Sequence, residues 1–237
     1  MEKCIHCKIE TTEITQAHLP SEIAWDHIPS SSWYTDNTPP NIQRWTVPSC
    51  RRCNIELGAA ENLIRTYIVP GINQDKQEIF GLRERVFRSL GIGLKNKLNP
   101  EEFEKRKNGA IKLYKKFRAV CPDMEFYPNF GHMEESTIER QHAVEIPKDT
   151  LIKVFGKIFR GAEYILNNKR IIESPFELMV FIGNDILIFR RLDHLFNRTE
   201  NLGPGFRIQR LAGKESVLYK VMVWGTLIAY GSIDVTK

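Results

Sequence analysis

The chain has 237 residues, is 42% hydrophobic and 27% charged, and carries a net charge of +5 with five cysteines. That length holds one large core or a small module plus a second domain, and the composition excludes a collagenous, low-complexity or disulfide-dense chain. No run of eighteen or more apolar residues occurs, so no membrane span is predicted, and the polar start Met1-Glu2-Lys3 speaks against a signal peptide and for a cytoplasmic protein.

The first element is a knuckle, Cys4-Ile5-His6-Cys7, matched later by Cys50-Arg51-Arg52-Cys53, while Cys121 stands alone. A thiolate pair two residues apart fits two corners of one tetrahedral metal, and two such pairs make a closed four-sulfur zinc site. Closed sites are structural, so Cys4, Cys7, Cys50 and Cys53 are expected to bind zinc that staples a small fold. This usage suits a reducing compartment better than two disulfides do. With four cysteines present, His6 is expected to be a solvent-facing loop residue.

Between the knuckles, residues 11–17 read as a strand, 30–43 as a loop rich in Ser, Asn, Asp and Pro, and 44–48 as a second strand. A helix is expected from Asn54 to about Tyr67, with Leu57, Ala60, Leu63, Ile64 and Tyr67 at helical spacing. Asn54 reads equally as its N-cap.

The middle of the chain is basic. Residues 76–118 carry thirteen Lys and Arg against five Glu, whereas residues 1–65 carry six basic and eight acidic residues. A helix is expected over 76–90. A second opens at Asn99-Pro100-Glu101-Glu102, where Asn caps, Pro fits the first turn and the acids oppose the dipole. Lys105, Arg106, Lys112, Lys115 and Lys116 of that helix, with Arg51 and Arg52, are the candidate phosphate contacts, although a charge run is also what a solvated helix face looks like.

Residues 147–167 read as a further helix with Leu151, Val154, Phe155, Ile158, Ala162 and Ile165 as its stripe. Strands are expected over 176–182, 185–192, 205–211, 217–224 and 227–233, with turns near Gly183 and Gly213, giving an antiparallel sheet with one packed helix. Asp193-His194 has no assignable partner.

The N-terminal order is knuckle, strand, loop, strand, knuckle, helix. With Cys4-x-x-Cys7, Ile14-Thr15-Gln16-Ala17-His18-x-Pro20, Val47-Pro48-x-Cys50-x-x-Cys53-Asn54, and Leu57-Gly58 with Glu61, it resembles the HNH or ββα-metal nucleases. The resemblance covers about a quarter of the chain, and with the elements read from the rest of the sequence the expectation is an α+β protein in three parts. These are an HNH module over 1–70, a basic helical connector over 71–144, and a β-rich domain over 145–237 with reading of DNA, pairing of two copies or partner binding as its open roles.

The resemblance further implies a metal-dependent endonuclease acting on DNA, of the kind found in restriction or phage defence. His18 would be the general base, Asn54 would fix the conformation around it, and Glu61 would hold a catalytic Mg²⁺ or Mn²⁺. One position departs from the family pattern. The acid expected before the histidine is Ala17, whereas Asp26-His27-Ile28-Pro29 contains an intact acid–His pair and offers an alternative register. A non-catalytic zinc-knuckle module that binds nucleic acid is the alternative to an enzyme.

Overall fold

The computed structural model describes residues 3–8, 24–42, 44–69, 80–90, 99–118, 146–172, 176–182, 193–203 and 205–234. The strands expected over 11–17 and 185–192, and His18 with them, lie outside the described residues.

The first sheet is a two-stranded antiparallel ribbon of β1 (Ala24–Ile28) and β2 (Trp45–Ser49), in register Asp26 to Val47 and His27 to Thr46. The sequence reading had assigned no element to Ala24–Ile28. Strand alternation sends Asp26 and Ile28 to one face, where both are buried, and half-buried His27 to the other. The first knuckle docks on this ribbon, with the Ile5 N–H donating to the Pro48 carbonyl at 3.1 Å.

Helix α1 (Arg51–Ile68) follows β2 directly. It starts three residues before the expected Asn54, because Cys50 is the cap: its Sγ accepts from the Cys53 N–H at 3.5 Å and its carbonyl from the Asn54 N–H at 3.0 Å. Asn54 is therefore inside the first turn and is not the cap. Leu57, Ala60, Glu61, Ile64, Tyr67 and Ile68 form the buried face at helical spacing.

Helix α2 (Leu82–Ser89) is anchored on the loop after β1 by Arg85, which pairs with Asp36 at 3.0 Å and donates to the Tyr34 carbonyl. Helix α3 (Pro100–Arg118) opens as its sequence predicts, with the Asn99 side chain accepting from the Glu102 N–H at 2.7 Å. Helix α4 (Lys148–Leu166) is followed by five antiparallel strands. These are β3 (Phe176–Ile182), β4 (Arg198–Asn201), β5 (Phe206–Ala212), β6 (Ser216–Val223) and β7 (Leu227–Asp234), in the spatial order β3-β7-β6-β5-β4. The architecture is thus mixed α+β, with four described helices and two antiparallel sheets.

Helix α4 is central. It packs against α1, β1 and β2 on one side and against β3 and β7 on the other. Two glycines permit that closeness. A Cβ on Gly161 would come within 2.7 Å of Ile28 Cγ1, and one on Gly231 of β7 would collide with the Phe159 ring. The hydrophobic core is consequently continuous from Ile5, Ile28, Val47 and Ile64 through Phe155, Ile158 and Phe159 to Val221, Ala229 and Ile233. Each Val, Ile or Phe side chain among them contributes about 1.5–3 kcal/mol on burial.

The tip of the β6–β7 hairpin completes the join. Trp224 takes a left-handed backbone (φ 52°), buries its ring 4.8 Å from that of Trp33, and donates Nε1–H to the Trp33 carbonyl at 3.2 Å. Trp33 in turn donates Nε1–H to the Glu61 carbonyl on α1 at 3.2 Å.

Candidate metal centre and the adjoining buried charge cluster

Cys4, Cys7, Cys50 and Cys53 bring their sulfurs within 4.8 Å of one another, as the two knuckles predict. The local folding that does this is short-range. The first knuckle is a turn closed by Lys8 N–H to the Cys4 carbonyl at 2.9 Å, with Lys8 left-handed at φ 65°, and the second is the first turn of α1.

The Cys7 and Cys50 sulfurs are 3.7 Å apart. That is far beyond a disulfide bond of about 2.05 Å. It matches the edge of a tetrahedron with bonds of about 2.3 Å, for which geometry gives roughly 3.8 Å. The four thiols can hold one metal ion, and the all-sulfur set is compatible with structural zinc.

The hydrogen bond from Cys53, helped by nearby backbone donors, holds the Cys4 thiol far below its usual range. Cys53 is pushed up, first by its bond to Cys4 and then by burial. One negative charge among the sulfurs is stabilised by its neighbours and a second is opposed, an opposition that a bound divalent cation removes.

Next to this cluster lies a second group of charges. The Lys157 ammonium of α4 sits 2.8 Å from Asp26 Oδ1 of β1 and 2.8 Å from Glu61 Oε2 of α1, and the side chains are 1%, 6% and 1% exposed, respectively. Glu61 Oε1 also accepts from the Ser30 N–H at 3.2 Å.

Burial pushes Glu61 up to about 7, against the downward pull of Lys157. Burial acts on Asp26 in the same direction, but His6 and Lys157 outweigh it and hold its carboxyl below the usual carboxylate range. Asp26 is therefore the partner that stays ionised, and Glu61 is the one that takes up a proton first.

His6 joins the group from the first knuckle. Its Nδ1 accepts from Arg160 Nε–H at 3.3 Å, and its Nε2 faces Asp26 Oδ2 at 3.7 Å, a polar contact too long for a hydrogen bond. Burial lowers its proton affinity, so it serves as a neutral imidazole. The side chain is 3% exposed, which corrects the expectation of a solvent-facing loop residue.

Compared with family models, with curated proteins and with solved structures, the chain matches none.

Of the residues singled out from sequence, the structure gathers the four cysteines, and it gathers Asp26 with Glu61. The cation between those two carboxylates is Lys157. His27 projects from the opposite face of β1, and its Nδ1 is buried without a hydrogen-bond partner among the described residues. Arg51 and Arg52 are exposed on the first turn of α1, beside the sulfur cluster, with Arg52 reaching Glu56 at 4.0 Å.

On α3, Lys105 is exposed, whereas Arg106 is engaged internally, with Glu102 and with the Arg88 carbonyl. The side chains of Lys112, Lys115 and Lys116 lie outside the described residues.

Sequence patterning does not single out Lys157 or Arg160. One signal was present: residues 154, 157, 158 and 161 share one helical face, so Lys157 interrupts the apolar stripe of α4. A lysine there requires buried carboxylates opposite it.

Proposed function

We propose that the N-terminal module is a metal-dependent phosphodiester hydrolase of the HNH type acting on DNA, in the Asp26–His27 register. One observation carries the reading. A carboxylate from β1 and a carboxylate from α1 converge on a single cation position, in a ββα unit held by four cysteines, with a half-buried histidine next in sequence to the first carboxylate.

The roles divide by face. Asp26 and Glu61 are hard oxygen donors, suited to Mg²⁺ or Mn²⁺ rather than to a second zinc. Bound there, the ion would stabilise charge growing on the phosphate and on the leaving oxygen. In this register His27 is the general base that takes a proton from the attacking water, which requires the ribbon to present both faces of β1 to one phosphate. Arg51 and Arg52, exposed on the first turn of α1, would meet backbone phosphates, and the thiolate cluster fixes the position of α1 against β2. A role in restriction or phage defence fits this chemistry.

A second reading has its own support. Lys157 already fills the cation position, and a module so neutralised would bind nucleic acid without cutting it.

Supercoiled plasmid incubated with zinc-loaded protein in Mg²⁺, in Mn²⁺ and in EDTA tests the two. The expected result is divalent-dependent cleavage that falls at least ~100-fold in His27→Ala while its zinc content is unchanged. Loss in His18→Ala with His27→Ala intact would move the base to the other register. Intact plasmid in every metal, together with salt-dependent DNA binding, would select the second reading.

A further inference from the structure

The Lys157 ammonium fills the centre toward which Asp26 and Glu61 point. We infer that Lys157 is an internal competitor for the divalent ion, so that the structure described is the closed form of the site and metal enters only as this side chain withdraws. The inference rests on reading Asp26 and Glu61 as a cation-holding pair, and adds to it the regulation of that pair by α4.

Three observations support competition rather than coexistence. The first is space. Both carboxylate oxygens are 2.8 Å from one nitrogen, whereas Mg²⁺–oxygen bonds are about 2.1 Å, so the same pair closes by about 0.7 Å on each side to hold an ion at the same centre. An ammonium and a divalent ion cannot share that centre.

The second is charge. The groups facing Lys157 are Asp26 from β1 and Glu61 from α1, with His6 of the first knuckle and Arg160 of α4 on the far side of Asp26. Two carboxylates balance one ammonium to within a single charge. Adding a divalent ion beside a retained ammonium would bury an excess of positive charge in a group that is almost wholly out of water.

The third is leverage. Lys157 lies four residues before Gly161, whose missing Cβ lets α4 press on Ile28 of β1, and α4 also packs on the five-stranded sheet. A shift of α4 on that sheet would carry the lysine out of the pair.

Mn²⁺ binding, read by electron paramagnetic resonance on zinc-loaded protein, tests this without any cleavage assay, because the four thiolates favour zinc and Mn²⁺ favours carboxylates. Wild type is expected to bind Mn²⁺ weakly. Lys157→Met, which is unbranched, one atom shorter and uncharged, is expected to bind one Mn²⁺ at least 100-fold more tightly, and Lys157→Met with Glu61→Gln is expected to lose that gain. Equal Mn²⁺ affinity in wild type and Lys157→Met would overturn the inference.

Where Lys157→Met does not fold alone, folding rescued by Mn²⁺ supports competition. Failure of Mn²⁺ to rescue it, when the double variant folds, overturns it. Tight Mn²⁺ binding by Lys157→Met without plasmid cleavage would leave this inference standing and remove the proposed hydrolase. Cleavage by wild type with no effect of Lys157→Met on Mn²⁺ affinity would do the reverse.

Discussion

Glu61 has the most consequential environment of any single residue described. Its folded proton affinity is raised by burial to about 7 from an ordinary value of 4.5. The folded chain therefore binds this proton more tightly than the unfolded chain. The resulting stability is fully present below about pH 4.5 and is lost as pH rises through about 7. Asp26 has the opposite sign: its depressed carboxyl contributes stability above its ordinary 3.8 that is lost as pH falls through the folded value. Urea unfolding of wild type from pH 4.5 to 8 is expected to show a decline of up to roughly 3 kcal/mol that is absent in Glu61→Gln. An equal decline in both proteins would mean that Glu61 does not carry it.

The element that decides the architecture is α4. It is apolar enough to be a core helix, yet it buries a lysine toward β1 and α1. Toward the second sheet it buries Glu163, which accepts from the Tyr219 hydroxyl and lies 3.5 Å from Arg210. Its close approach to β1 depends on Gly161. Gly161→Ala is expected to destabilise the fold by about 1–3 kcal/mol through overlap with Ile28. In a double-mutant cycle, Ile28→Ala should cost less in the Gly161→Ala background than alone, because the shortened side chain accommodates the added methyl. Strict additivity would show that the contact does not limit the helix position.

At the scale of the whole molecule, the buried core crosses from Ile5 of the first knuckle to the last strand, and Trp224 of the β6–β7 hairpin packs on Trp33 beside the Glu61 carbonyl. The free energy of a structural metal is also folding free energy. Removal with a chelator of a metal held by the four thiols is therefore expected to lower one cooperative thermal transition, seen alike in far-ultraviolet dichroism and in tryptophan fluorescence. Two separated transitions, with the sheet signal surviving metal removal, would show that the C-terminal sheet is stable without the zinc module. No described helix is long and apolar enough to cross a membrane.

The sequence by itself determined what depends on near neighbours. Cysteine spacing announced the four-thiol cluster, Asn99 and Pro100 announced the start of α3, and alternating and helical patterns announced α4, β3, β5, β6 and β7. Each of these is a property of a few consecutive residues and the backbone period they match. The sequence also supplied Asp26, His27 and Glu61 as candidates, but left open which histidine register to use and placed no strand at Ala24–Ile28.

Tertiary structure alone decided that Asp26 and Glu61 meet, that Lys157 lies between them, and that His6 is buried. The Lys157 pairings join residues 96 and 131 positions apart, and no local period encodes them. The physical reason is that burial of a charge is settled by what stands opposite it. Lys157 is tolerable in an apolar stripe only because two carboxylates from separate elements arrive at the same point.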